Sequence, residues 1–418
     1  MFKSRQFIIG LIVSVIFFVL ALIDVQLDKV WQALQEANYW ALIPALVFYF
    51  AGVVVRAVRW RILLRPILPR GGSGAEGNRG LMNIFEVVVI GYMANNVLPA
   101  RIGELVRAYV LSLREKVRKT ATLATILVER IFDGLTMVGF AAAVVLFVIL
   151  FDRGALRSGD ASHKLGTFLN ELSTPIIIAA VIFLGLLAVF LAVATSRRRM
   201  ERLAQFGLRF LPGRLHERAE RLLVSFMDGL SSLRSPSTLA AVFGLSIVAW
   251  LFEAGMYYII GTWGFDLRGS DGQTLPIYVY LLTTAFVNLA TLIPQGPGYV
   301  GVFEAIAKGV LVGAFGVPEN PALSYVLILH VTLLVPVTLL GFFFMARQSL
   351  KYSDLVTLEK TRAEASEQAH ELEGPLTDIE LIQEGRISTG EAEGELERAG
   401  ETPPPPGVRD QGSEATGG

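Results

Sequence analysis

The chain contains no cysteine. A disulfide framework, thiol catalysis and cysteine-based metal sites are excluded together. Histidine is scarce: His163, His216, His330 and His370 share no close spacing, so there is no histidine-rich metal motif. No nucleotide-binding motif occurs, which removes direct ATP drive, and no cofactor signature is present. The net charge is zero, and nothing in the composition points to nucleic acid. Charge is thin throughout. Asp, Glu, Lys and Arg make up 18% of the 418 residues, against about 25% in an ordinary soluble chain.

What fills the space is apolar. The chain is 53% hydrophobic, with a mean hydropathy of +0.54. Several windows of about 17–25 residues are almost free of charge, the length that crosses the hydrocarbon core of a bilayer. The fold class expected is all-α, a polytopic membrane helix bundle. The zero net charge conceals an asymmetry. Residues 351–418 hold 6 Lys/Arg and 16 Asp/Glu, a net of −10. The first 350 residues carry the opposite excess of +10. A basic membrane body, 1–350, is therefore followed by an acidic tail, 351–418. The tail ends in Gly, Glu, Thr and the run Pro403 to Pro406, buries too little apolar surface to fold, and is expected to be disordered.

Spans are expected at 7–23, 41–64, 120–151, 174–195, 239–263 and 322–346. The first follows Lys3 and Arg5, but no small-x-small cleavage pattern succeeds it, so it reads as a span rather than a leader. Segment 197–236 is amphipathic, with nine arginines and four acids. It suits either the inner leaflet or a solvated helix pair. Loop charge sets orientation, because Lys and Arg stay on the cytoplasmic side. The N-terminus, 56–79, 101–119, 197–236 and 347–351 are basic and belong inside. Loops 24–40, 152–173, 264–274 and 317–321 lack that excess and belong outside. Both termini are then cytoplasmic.

This assignment makes two segments anomalous. Both flanks of 81–113 are inside, and both flanks of 275–315 are outside. Each should enter the membrane, break and return, as a re-entrant broken-helix hairpin. The breaks share Pro-x-x-x-Gly: Pro99 to Gly103, and Pro294 to Gly298. Irregular backbone at membrane depth survives only where protein covers it or a wet cavity runs beside it. Span, hairpin, span occurs twice with opposite starting sides, an inverted repeat. In secondary transporters such paired interruptions point to the substrate site.

Ionisable groups in spans are costly and become functional candidates. Arg101 and Arg107, flanking Glu104, form a guanidinium pair suited to phosphate, or else sit at inner headgroup level. Asn95 and Asn96 either cap the helix that follows or line a polar path. Glu129, Arg130 and Asp133 lie within about one turn, and Arg130 and Asp133 are spaced to pair. Glu304 and Lys308, four apart, are placed to neutralise each other. Glu304 follows the glycines Gly298 and Gly301. Glu86 and Glu253 read as lone acids facing a cavity or partner, and His330 as a packing histidine. Arg56, Arg59 and Arg61 beside Trp60 read as interfacial anchors.

The ordered set Arg56-x-x-Arg59-Trp60, Asn96-x-x-Pro99-x-Arg101-x-Gly103-Glu104-x-x-Arg107, Glu129-Arg130-x-x-Asp133 and Pro294-x-x-Pro297-Gly298-x-x-Gly301-x-x-Glu304 resembles the lysylphosphatidylglycerol synthase transmembrane-region family of flippase-like membrane proteins. The resemblance covers roughly 5–350. It implies a domain that moves aminoacylated phospholipid between leaflets, without the soluble domain that attaches the amino acid. Gln295-Gly296 departs from a simpler Pro/Gly run. The expected protein is a multi-pass lipid transporter of a bacterial-type inner membrane, not an enzyme. Its expected partner is a phospholipid or lipid-linked substrate, held by the residues of the two breaks with Glu129, Arg130 and Asp133. The rivals are a membrane enzyme acting on lipid-linked substrates and a scaffold whose tail binds another protein.

Overall fold

The computed structural model describes residues 5–68, 77–98, 102–151, 213–269, 271–291 and 296–348, with residues 185, 198, 199 and 202 in isolation. Pro99, Arg101 and Pro294, the loop at 152–173, most of the span expected at 174–195, most of 197–212 and the tail at 351–418 lie outside them.

Eleven helices and no β-strand occur among the described residues. In chain order they are α1 (Arg5–Ala21), α2 (Leu27–Glu36), α3 (Leu42–Leu64), α4 (Gly77–Val97), α5 (Gly103–Glu115), α6 (Lys119–Phe151), α7 (Gly213–Gly229), α8 (Pro236–Ile259), α9 (Ile277–Ala290), α10 (Val302–Gly309) and α11 (Glu319–Arg347). Among the described residues five stretches are long and apolar enough to cross a membrane: Tyr39–Leu64, Gly80–Val97, Lys119–Val148, Pro236–Gly264 and Glu319–Arg347. The fourth starts at a clear signal. Pro236 occupies the first turn of α8, and the Ser235 hydroxyl accepts from the Thr238 N–H at 3.4 Å, so proline's missing donor costs nothing and one orphan N–H is met. Helix α11 carries Pro336 in its interior, a residue that membrane helices tolerate. Its 29 residues span about 44 Å at 1.5 Å per residue. Helix α4 is the least apolar of the five and the most buried, which fits a helix surrounded by protein more than by lipid.

Helices α3 and α8 pack along each other, α11 packs on α4, α9 on α6, and α7 on the start of α6. There the Thr120 hydroxyl donates to Ser225 at 2.6 Å. Helices α4 and α5 run antiparallel. Asn95 meets Gly103, Gly91 meets Arg107, and Arg114 donates to the Asn83 carbonyl at 3.2 Å. Their approach is close: a Cβ at Gly103 would lie 2.1 Å from the Gly91 carbonyl oxygen, so only glycine fits there. The open end of this pair is tied to the end of α11, where Glu86 takes bonds from Arg114, Arg347 and Gln348.

Helices α9 and α10 form a second packed pair. Their outer ends adjoin, with the Tyr278 and Phe315 rings 6.2 Å apart. This junction lies near the start of α11, where several loops gather. The Asn38 N–H donates to Gly264 at 2.8 Å, the Gln26 N–H to Asn320 at 2.8 Å, and the Ser324 hydroxyl to Val30 at 3.2 Å. The two pairs therefore open toward opposite ends of α11. Their tips meet: a Cβ at Gly298 would stand 3.5 Å from the Asn96 carbonyl oxygen.

Candidate functional site

Polar groups inside an apolar bundle must find one another, since an unpaired buried charge costs several kcal/mol. Besides the Glu86 cluster, two further ones form among the described residues. The larger joins α3, α5, α6 and α8. Arg59, fully buried, donates through Nη1 to Asp133 Oδ1 at 2.5 Å and to Ser246 Oγ at 2.7 Å. Through Nη2 it reaches Glu129 Oε1 at 3.2 Å and Asp133 Oδ2 at 3.3 Å. Arg107 donates to the other oxygen of Glu129 at 2.6 Å. Its guanidinium lies 4.0 Å from the Trp60 ring centre. That indole is fixed by its own bond to Thr125 at 3.1 Å.

Next along α3, Arg56 donates to Glu253 at 2.7 Å and lies 4.3 Å from the Trp250 ring centre. The Trp250 Nε1–H returns to Asp133 at 3.0 Å. Two tryptophans thus serve as π-faces for two arginines. Arg130 closes the set, 3.4 Å from Asp133 Oδ2. Four arginines, Arg56, Arg59, Arg107 and Arg130, are bonded to three carboxylates, Glu129, Asp133 and Glu253. Half-buried Glu104 adds its field at Arg130. The Nε–H groups of Arg59, Arg107 and Arg130 have no acceptor among the described residues.

The smaller cluster sits on the second break. Gly298, Tyr299 and Gly301 hold φ of 68°, 63° and 91°. At Gly301 no other residue is accommodated, because a Cβ would lie 2.0 Å from the Ser14 carbonyl of α1. Glu304 Oε2 accepts from the Gly301 N–H at 2.6 Å, and Glu304 Oε1 lies 2.5 Å from His330 Nδ1. The other ring nitrogen, Nε2, lies 2.8 Å from the Gly298 carbonyl. Phe303 stacks on the imidazole at 4.2 Å.

The sequence candidates are thus distributed over both clusters. Arg107, Glu129, Arg130 and Asp133 come together, with Arg130–Asp133 paired as their spacing predicts. Asn95 caps α5, its Oδ1 accepting from the Gly103 N–H at 2.7 Å. Asn96 donates instead to Thr338 of α11 at 2.9 Å. Gly298, Gly301 and Glu304 form the second cluster. Pro99, Arg101 and Pro294 lie outside the described residues.

Three expectations change. Arg56 and Arg59 are not interfacial anchors but the buried centre of the network. Glu304 does not pair with Lys308: it takes His330, while Lys308 pairs with Glu319 at 2.6 Å and donates to the Ala21 and Ile23 carbonyls at 3.1 and 2.7 Å. Glu86 and Glu253 are not lone acids, since Glu86 pairs with Arg114 and Arg347 and Glu253 with Arg56. The signal for Arg59 was the Arg-Trp pair on an apolar helix, which suits a buried cation on a π-face as well as a membrane surface.

A multi-pass helical membrane protein with an arginine–carboxylate network in its interior is the class these features define. Residues 7–341 match the lysylphosphatidylglycerol synthase TM region family, and the chain belongs to that family. It is similar to glycosyltransferase AglD of Haloferax volcanii, 26% identical over 325 residues, covering 75% of this chain and 49% of that protein. A UPF0104 membrane protein of Methanocaldococcus jannaschii is 30% identical over 151 residues, 36% of this chain and 40% of the relative. Another, from Methanothermobacter thermautotrophicus, is 25% identical over 283 residues, 65% of this chain and 76% of the relative. The chain thus spans under half the length of the first two. No solved structure matches it at a significant level.

Proposed function

We propose that this protein is a flippase-like transporter that moves a phospholipid or lipid-linked headgroup between leaflets. The observation that carries the reading is the meeting of Asn96 and Gly298 at the tips of two helix pairs that open toward opposite ends of α11. In a bilayer these pairs are re-entrant hairpins, and the chain on either side of them forms the two inverted repeats. The loops at 24–40, 264–274 and 317–321, which lack basic excess, gather at one end. The basic ends of α5 and α11 gather at the other, which supports an outside and a cytoplasmic face with both termini inside. Exposed Trp31, Trp40 and Trp263 suit the outer headgroup level.

The arginine network supplies the headgroup chemistry. Arg107, with Arg101 beside the first break, takes phosphate. The spare Nε–H groups add donors to a cluster that already holds more arginines than bonded carboxylates. Glu104, Asp133 and Glu304 face a cationic or protonated portion. Fluorescent-lipid translocation in proteoliposomes tests this. Arg107→Gln should slow movement at least about tenfold, the loss of one charge-assisted contact. An unchanged rate in both Arg107→Gln and Arg101→Ala would remove the network from the path. A single thiol at Asn96, introduced into this cysteine-free chain, should react slowly from either face. Ready labelling from one surface would identify α4 as an ordinary crossing and end the hairpin reading.

A second reading, an enzyme on lipid-linked substrates, is favoured by the name of the AglD relative. Glu129 and Asp133 form a compact acidic pair among the described membrane helices, and both are bonded to Arg59. Turnover of a lipid-linked sugar by the purified protein would establish it. Deleting 351–418 separates both readings from a scaffold, which would lose its function with its tail.

A further inference from the structure

The imidazole of His330 stands between two groups that can only accept. The Gly298 carbonyl carries no proton, and the Glu304 carboxylate carries none when ionised. Neutral imidazole has one N–H, so it can satisfy one of these contacts and not both. The observed geometry, 2.8 Å on Nε2 and 2.5 Å on Nδ1, requires one additional proton shared by the pair. With that proton the pair is electrically neutral, as imidazolium with carboxylate or as imidazole with carboxylic acid. Without it the pair carries one negative charge, although Glu304 is 3% and His330 4% exposed.

Among the described residues the surroundings add the Gly301 N–H at the start of α10 but no bonded cation. On α10, Lys308 is committed to Glu319 of α11 and to the α1 carbonyls. α1 presents Ser14, whose hydroxyl accepts from the Gly296 N–H at 3.0 Å. α4 presents Asn96, and α9 presents Asn288, which bonds Thr284 and Glu253. Tyr299 lies in the break itself. Among the described residues no second charged side chain is bonded to Glu304 or His330.

We propose that Glu304 and His330 form a one-proton binding site that locks the second break to α11, and that the proton is the coupling ion of the transport proposed above, a reading on which this inference rests. Binding is a simple protonation: carboxylate, neutral imidazole and one proton give the neutral bonded pair. Loss of the proton leaves either Nε2 facing the Gly298 oxygen or Nδ1 facing the carboxylate, lone pair against lone pair. One of the two contacts then opens. The segment it releases, Gly298 to Gly301, has Gly298, Tyr299 and Gly301 at positive φ and adjoins Asn96 of the other helix pair. Protonation thus closes the meeting point of the two tips and deprotonation loosens it.

Two measurements on the full chain test this. In nanodiscs, nitrogen NMR of the four histidine rings, with His330 assigned by His330→Gln, follows protonation directly. The expected result is one joint titration in which the His330 ring and the Glu304 carboxyl change together. In Glu304→Gln, whose amide still accepts from Gly301, the ring should titrate alone at a different pH. A His330 ring unresponsive wherever the protein stays folded would mark a static lock and overturn the proposal. So would a ring that titrates identically in Glu304→Gln. In proteoliposomes holding a pH-sensitive dye, the wild type should move lipid at a rate set by the imposed pH gradient, with protons moving alongside. His330→Gln, which removes the imidazole and leaves the headgroup carboxylates in place, should move lipid at one rate whatever the gradient. Wild-type translocation indifferent to the gradient, with no proton movement, would sink the coupling and leave the flippase reading standing. If no lipid moves at all, the flippase reading and the coupling fall together, and the ring titration still decides whether the proton site exists.

Discussion

Replacing Arg59 with methionine is the sharpest test of the buried network. The side chain is fully buried and donates to Asp133, Glu129 and Ser246. Methionine matches much of its volume and removes every bond. Removing one partner of a buried ion pair costs about 3–5 kcal/mol, because the other charge is left in a medium that cannot solvate it. Here each carboxylate keeps a residual partner. Glu129 retains Arg107 at 2.6 Å, while Asp133 retains Trp250 at 3.0 Å and Arg130 at 3.4 Å. The lower end applies, about 3 kcal/mol. Denaturant unfolding in detergent, followed by intrinsic fluorescence, suits the question because Trp60 and Trp250 both lie against the network. Adding Asp133→Leu removes the stranded acid and should recover part of the loss, a coupling of about 1–3 kcal/mol. Arg65→Met, exposed and next to the same helix, should leave the midpoint where it was. If Arg59→Met is as silent as Arg65→Met, or if the double variant shows the plain sum of the two singles, the charges do not share one buried site.

Other substitutions probe the remaining joints. Gly103→Ala places a methyl 2.1 Å from the Gly91 carbonyl, so α4 and α5 must separate. A loss of about 1–3 kcal/mol in unfolding free energy is expected, as for overpacking generally. Gly301→Ala combines φ of 91° with a 2.0 Å clash against the Ser14 carbonyl. It should lower the yield of folded protein on size-exclusion chromatography far more than Gly139→Ala, where a Cβ meets open space. Glu86→Gln removes the charge that holds Arg114 and Arg347, and should cost about 2 kcal/mol, the scale of charge-assisted bonds whose cations can still reach water. Earlier tryptic cleavage near Arg347 would report the freed end of α11.

The length of the hydrocarbon core is a constraint on sequence alone, which is why apolar windows read along the chain coincide with helices such as α3, α6, α8 and α11. Local spacing likewise exposed the Arg130–Asp133 pair, because a helix puts residues three apart on one face whatever surrounds it. The partners of Arg59 and Arg56 followed no such rule. Glu129, Asp133 and Glu253 are 70, 74 and 197 residues distant from them, and only the packing of α3 against α6 and α8 brought them within reach. Glu304 shows the same division at shorter range. Its spacing to Lys308 was suitable, yet one carboxylate oxygen turned back to cap Gly301 and the other met His330 across the α10–α11 contact, while α1 and Glu319 claimed the lysine. Periodicity is a property of one segment, but the choice among partners for a buried charge belongs to whichever segments are packed around it, and no single stretch of chain contains that information.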